Sequence, residues 1–141
     1  MNFKEFIKKG LVRASSKDKA LAKSLIKHAK EDINFLDSIN LNKKSSRKLM
    51  SNYYDVLRSV LEAFSVIEGY KIYSHEAFTY FLKEKKEDLL SIKFDRLRKI
   101  RNSINYYGKN ISMQETKENI KEIKEMIKII IEKYLGELKN D

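Results

Sequence analysis

The chain contains no cysteine. That absence removes disulfides, thiolate zinc sites and cysteine nucleophiles together. Only two histidines, His28 and His75, are present, too few for most histidine-based metal centres, so no metal and no cofactor is expected. Proline is missing as well, and glycine occurs four times in 141 residues. A chain this poor in turn residues favours long helices joined by short loops over a many-stranded β fold. No window approaches the roughly 18 uncharged apolar residues of a membrane-spanning helix; the richest run, "MIKIIIEKYL", is interrupted by Lys128, Glu132 and Lys133. The start, "MNFKEFIKKG", is amphipathic, with no apolar core or cleavage site after it, unlike a signal peptide. The expectation is a cytoplasmic all-α protein, one domain over residues 1–141, without a membrane partner.

What the chain has in quantity is charge. Lysine and arginine number 30 against 20 acidic residues, a net charge of +10. Residues 1–60 hold 14 basic and 6 acidic side chains, residues 61–110 hold 10 and 7, and residues 111–141 hold 6 and 7. The basic excess is N-terminal. It suits nucleic acid, an acidic protein or an anionic surface, and selects none of them. The lysines from Lys4 to Lys48 read as solvated faces whose sum can steer an acidic partner.

Helical periodicity organises nearly the whole chain. Residues 2–12 read as a short amphipathic helix with Phe3, Phe6 and Ile7 on one side, within an N-terminal segment of residues 1–14. A second helix is expected from Ser15 or Ser16, where "SSKD" offers an N-cap, with Ala22, Ile26, Ala29, Ile33 and Leu36 spaced by fours and threes. After "NLNKKSSRK" a third helix carries Leu49, Tyr53, Val56, Val60, Ala63 and Ile67 up to Gly69, a natural residue for a helix C-terminus. Ser74 caps a shorter helix, "SHEAFTYFLKE". A fifth runs from about Asp88 to Tyr107, stopped by Gly108, with Leu90, Phe94, Leu97 and Ile104 as its stripe. Ser112 and Glu115 form an S-x-x-E capping box for the last helix. There Ile120, Ile123, Ile127, Ile130 or Ile131, Tyr134 and Leu138 continue nearly to the C-terminus. Short connections between long helices predict an up-and-down four-helix bundle over residues 15–138 with additional short helices.

The chemistry concentrates in "RLRKIRNSINYYGKNIS", Arg96 to Ser112. Arg101 falls where the stripe from Leu97 to Ile104 calls for an apolar side chain, and a buried guanidinium without a partner is costly. It must pair with an acid, line a polar cleft or face a second subunit. Arg98, Asn102 and Tyr106 follow at steps of four, and Arg101 and Asn105 form a parallel row. Guanidinium, amide and phenol in such rows suit phosphate and ribose, and a tyrosine can stack a base; packing in the core or at an interface is the competing role for Tyr106 and Tyr107. His28 lies mid-helix among lysines and His75 follows the cap residue Ser74, which makes them surface or cap-region residues. Glycine-rich phosphate loops, H-E-x-x-H, EF-hands and nucleophile elbows are all missing.

Taken together, "LAKSLIKHAKEDINFLD", "SNYYDVLRSVLEAFSVIEGYKIYSHEAFTYFL" and "RKIRNSINYYG" resemble, in that order, segments of the HEPN family of small helical-bundle proteins, over about residues 15–138. The "IRNSINYYG" version is similar to archaeal members. In active members an arginine, a polar residue and a histidine a few positions on meet across a homodimer to form a metal-independent ribonuclease site. Here Arg101 matches the arginine and Asn102 the polar residue, while the histidine position falls on Tyr106 or Tyr107. No histidine follows Arg101, and a tyrosine's ordinary pKa near 10 makes it a poor base at neutral pH. The resemblance therefore implies a dimer with a cleft around Arg101 and a catalytically degenerate site. Arg98, Arg101, Asn105 and Tyr107 would be its binding residues. It also implies a toxin–antitoxin-like setting with a minimal nucleotidyltransferase partner that modifies Tyr106 or Tyr107, although the usual acceptor position falls on Gly108. The alternatives are an active ribonuclease using Arg101, Asn102 and Tyr106, and a purely structural helical bundle.

Overall fold

The computed structural model describes residues 1–140, with side chains through Leu138; Asp141, the last residue of the expected domain, lies outside the described residues. The elements are α1 (Phe3–Lys8), β1 (Val12–Ala14), α2 (Lys19–Asp37), α3 (Ser46–Ile67), β2 (Tyr70–Ile72), α4 (His75–Glu84), α5 (Asp88–Tyr107) and α6 (Met113–Tyr134). A 3-10 turn, Gly136–Asn140, follows α6. The all-α expectation therefore holds, with one small addition.

α3 is the axis of the core, packing against α2, α5 and α6. Leu49, Tyr53, Val56, Val60 and Ala63, the stripe read from the sequence, are all buried, and so are Tyr54, Leu57, Leu61 and Phe64 on the flanks of that stripe. A helix apolar on so much of its circumference needs neighbours on several sides. α2 runs against it: the Asp18 amide donates to the Val66 carbonyl at one end (3.3 Å), and Asp37 accepts from the Tyr53 hydroxyl at the other. α6 runs alongside in the direction of α3. Lys124 reaches Asp37 at 2.7 Å, and Tyr134 stacks on Phe64 with ring centroids 4.0 Å apart. α5 runs the opposite way, so that its end meets the beginning of α3, where the Ser51 hydroxyl donates to Asn105 at 2.8 Å. No helix among the described residues is long and apolar enough to cross a membrane.

The helix boundaries follow local chemistry. Ser74 accepts from the Ala77 amide, Ser112 from the Glu115 amide at 3.0 Å, and Gly108 ends α5 with φ 63°, a left-handed position that glycine adopts without a Cβ penalty. Three expectations need correction. The N-terminal helix stops at Lys8 rather than near residue 12. Gly10, at φ 76°, turns the chain, and Val12–Ala14 pairs antiparallel with Tyr70–Ile72, while Ile7 is exposed and only Phe3 and Phe6 enter the core. α2 begins after Asp18, whose carboxylate accepts from the Leu21 amide at 2.9 Å, not at Ser15 or Ser16; both serines belong to the chain leading out of β1. Finally, α6 ends at Tyr134. Gly136 disfavours continuation, and Leu138 instead packs against the core from the 3-10 turn.

Candidate functional site

The end of α5 and the beginning of α3 enclose a groove of about 620 Å³. From the α3 side come Lys44, Arg47 and Lys48, followed by Ser51, Asn52 and Asp55; from α5 come Ile104, Asn105 and Tyr106. Lys44, Arg47 and Lys48 are exposed. Two of them occupy the first turn of α3, which has no acidic residue. Cations there oppose the positive end of the helix dipole, so local helix energetics does not account for them.

Arg101 lies behind the groove lining, in contact with two of its residues, Asp55 and Tyr106, and with only 15% of its side chain exposed. Of the arrangements open to it, pairing with an acid is the one adopted: its Nη2 lies 3.6 Å from Asp55 Oδ1. Its Nη1 donates to the Tyr106 hydroxyl at 3.4 Å, and the guanidinium lies over the rings of both Tyr54 and Tyr106. Nε is buried without a hydrogen-bond partner, a desolvated donor whose cost the two ring contacts offset only partly. The Asp55 link is long, and Asp55 is nearly half exposed. Arg101 is thus held in place by contacts weak enough to be exchanged for a better anion.

The predicted residues divide. Arg101, Asn105 and Tyr106 come together at the groove. Asn105 is tethered by Ser51, and Tyr106 is 70% exposed, which rules out the core role. Arg98 does not join them. Both its Nε and its Nη2 donate to Asp95 Oδ1, at 3.2 and 2.8 Å, and Asp95 also accepts from Thr79 of α4, so this arginine is spent holding the carboxylate that ties α5 to α4. Burial alone would raise the Asp95 pKa, but the hydrogen bonds from Arg98 and Lys99 bring it below the ordinary value. Asn102 is half-buried and outside the groove lining. Tyr107 points to solvent, 77% exposed. His28 is exposed, as read.

His75 is more than a cap-region residue. Its Nδ1 lies 3.1 Å from the hydroxyl of the fully buried Tyr54, the same ring that Arg101 overlies. A neutral imidazole protonated on Nε2 accepts from Tyr54, and a proton on Nδ1 reverses the bond. Burial foremost, then the charges of Arg58 and Arg101, hold the His75 pKa below its ordinary value, with Asp55 opposing. Burial likewise pushes the Tyr54 pKa up. The folded protein therefore resists protonating His75 more than the unfolded chain does. The stabilisation this represents is present above the unfolded value of about 6.5 and is lost as the pH falls toward the depressed folded value. Urea unfolding between pH 7.5 and 5 is expected to show that loss, and His75→Gln to flatten the profile within this window. An equally steep profile in the variant would assign the loss to other groups.

Nothing in the spacing of the sequence links Tyr54 and His75 to Arg101, or Lys44 to Tyr106. The signal that existed was a stripe: Lys48, Asn52 and Asp55 recur at +4 and +3 on one face of α3, and Lys44 stands four residues ahead of them in the preceding turn. Among the described residues, no group of three or more histidine, aspartate and glutamate side chains is arranged to hold a metal ion. No protein-family model, curated protein or solved structure matches the chain.

Proposed function

We propose that this protein is a HEPN-like, homodimeric up-and-down four-helix module that binds single-stranded RNA in the α3–α5 groove without cutting it. One observation carries the reading: Lys44, Arg47 and Lys48 face the exposed ring of Tyr106 across a groove whose carboxylate, Asp55, is already engaged by Arg101. Cations tracking a backbone beside an aromatic platform are the two elements of sequence-tolerant single-strand binding. The groove lining contains no histidine; His75 is separated from it by the buried Tyr54, which supports binding without proton transfer at a 2′-hydroxyl. The alternating directions of α2, α3, α5 and α6 along the chain support the bundle, and the homodimer rests on the resemblance, with sedimentation equilibrium as its check.

The experiment is a fluorescence-anisotropy titration with short unstructured RNA, paired with a metal-free cleavage assay on total RNA. Binding without cleavage is expected, and Arg101→Ala is expected to weaken binding by roughly ten- to a hundredfold, since a charge-assisted hydrogen bond contributes about 1.5–3 kcal/mol. Cleavage abolished by Arg101→Ala would make the protein a ribonuclease instead. A second reading has its own observation. Tyr106 and Tyr107 end α5 with most of their surface in solvent, where the active site of a partner nucleotidyltransferase could reach either hydroxyl. A nucleotidyl adduct in the intact mass, absent after Tyr106→Phe and Tyr107→Phe together, tests it.

A further inference from the structure

Beside the groove, α2 and α3 enclose a second hollow of about 300 Å³. Asp32, Phe35 and Leu36 line one wall, and Asn52, Asp55, Val56 and Ser59 line the other. Asn52 and Asp55 also line the groove, so the two spaces adjoin across these side chains. Phe35 is 66% exposed, off the buried stripe of α2, and among the described residues it makes no ring contact. Neither the core nor a neighbouring ring explains it.

The surface that carries the two hollows is polarised. Lys48, Asn52, Asp55 and Ser59 lie on one stripe of α3, and seven residues separate the cation from the carboxylate, about 10 Å along the axis. Lys44, Arg47 and Lys48 give one end its positive charge, and Asp32 makes the other end an acceptor surface beside an open aromatic ring, while Asp55 between them is paired with Arg101. A nucleotide has the complementary polarity. Its phosphate is anionic, its base presents a flat π face, and amino and imino groups on the base edge donate hydrogen bonds. An ionised carboxylate accepts only, through two oxygens side by side. Guanine, whose Watson–Crick edge places two N–H donors side by side, matches that fork; uracil offers one.

Resting on the RNA reading above, we propose that the α2–α3 hollow is a base pocket: one base of the bound strand stacks on Phe35, with Asp32 and Asn52 at its edge and guanine as the preferred occupant. The phosphates of the same strand lie on Lys44, Arg47 and Lys48.

The test compares binding of the full-length protein to UUGUU, UUUUU and the pentamer with an abasic central position, with inorganic polyphosphate as the charge-only probe. Wild type is expected to bind UUGUU roughly tenfold more tightly than the abasic pentamer, in line with the loss of one stacked base. Phe35→Ala is expected to bring the two to the same affinity and leave polyphosphate binding unchanged. Asp32→Asn is expected to narrow the gap between UUGUU and UUUUU while both still bind better than the abasic strand. Because Phe35 and Asp32 are exposed, both variants are expected to keep the wild-type thermal transition. If Phe35→Ala retains the wild-type preference for UUGUU, the base pocket is refuted while groove binding stands. If wild type binds none of the RNAs, the RNA reading itself fails, and the pocket with it.

Discussion

Phe64→Ala is expected to lower the unfolding free energy by about 3–5 kcal/mol, the usual range for deleting a fully buried phenylalanine ring. Phe64 has no exposed surface and joins three helices through one ring. From α3 it stacks on Tyr134 of α6 at 4.0 Å, and it meets Phe81 of α4 edge-on at 4.9 Å. The damage extends past the cavity, because Tyr134 in turn donates its hydroxyl to Glu87, which also accepts from Lys133. That trio fastens the beginning of α5 to the end of α6. Against a total stability on the order of 5–15 kcal/mol, the loss approaches the whole margin. Urea unfolding followed by circular dichroism measures it. A change below about 1 kcal/mol would mean that the ring is not the junction described, and Phe35→Ala, at an exposed position, supplies the near-zero reference.

The second large effect is on binding. Replacing Lys44, Arg47 and Lys48 together by alanine is expected to weaken RNA affinity on the order of a hundredfold at low salt. The slope of log affinity against log salt is expected to fall by about 2, since each single-strand phosphate contact contributes about 0.7. Anisotropy titrations at several salt concentrations give both quantities. Loss of affinity with an unchanged slope would mean that these side chains do not meet phosphates. The fold is expected to survive, because all three side chains are exposed. Removing Arg47 and Lys48 also relieves an unfavourable encounter with the helix dipole, so the variant is expected to be as stable as wild type or slightly more so. A protein that gains stability while losing a ligand would show the cations to be held for binding.

How much of this was legible beforehand differs by level. The long helices were readable because each repeats its apolar residues over many turns, and α5 ends at Gly108 because a left-handed residue is needed there. The β1–β2 ribbon was not. Three residues per strand are too few for alternation to register. The start of α2 was misplaced because serine and aspartate cap helices about equally well, and only the backbone path decides between Ser15 and Asp18. At the site, Arg101 announced itself by breaking a stripe. Arg98 carried the same chemistry in sequence, but Asp95, three residues earlier on the same helix, occupies it. Lys44, Arg47 and Lys48 were indistinguishable from other solvated charges, and His75 reaches Tyr54 across a separation that no helical period encodes. Groups on one helix could be read together, whereas groups that meet only through packing could not.

The ribbon has a consequence for how the chain is made. β1 lies within the first 14 residues, and its partner strand begins at Tyr70. During synthesis at roughly 5–20 residues per second, the N-terminal arm waits several seconds for β2 and α4 to leave the ribosome. Throughout that interval Phe3 and Phe6, which later pack against Tyr70, Phe81 and Tyr80, have no aromatic partner to cover them. The β1 arm is therefore made well before the strand and helix that cover its two phenylalanines, and its docking follows theirs.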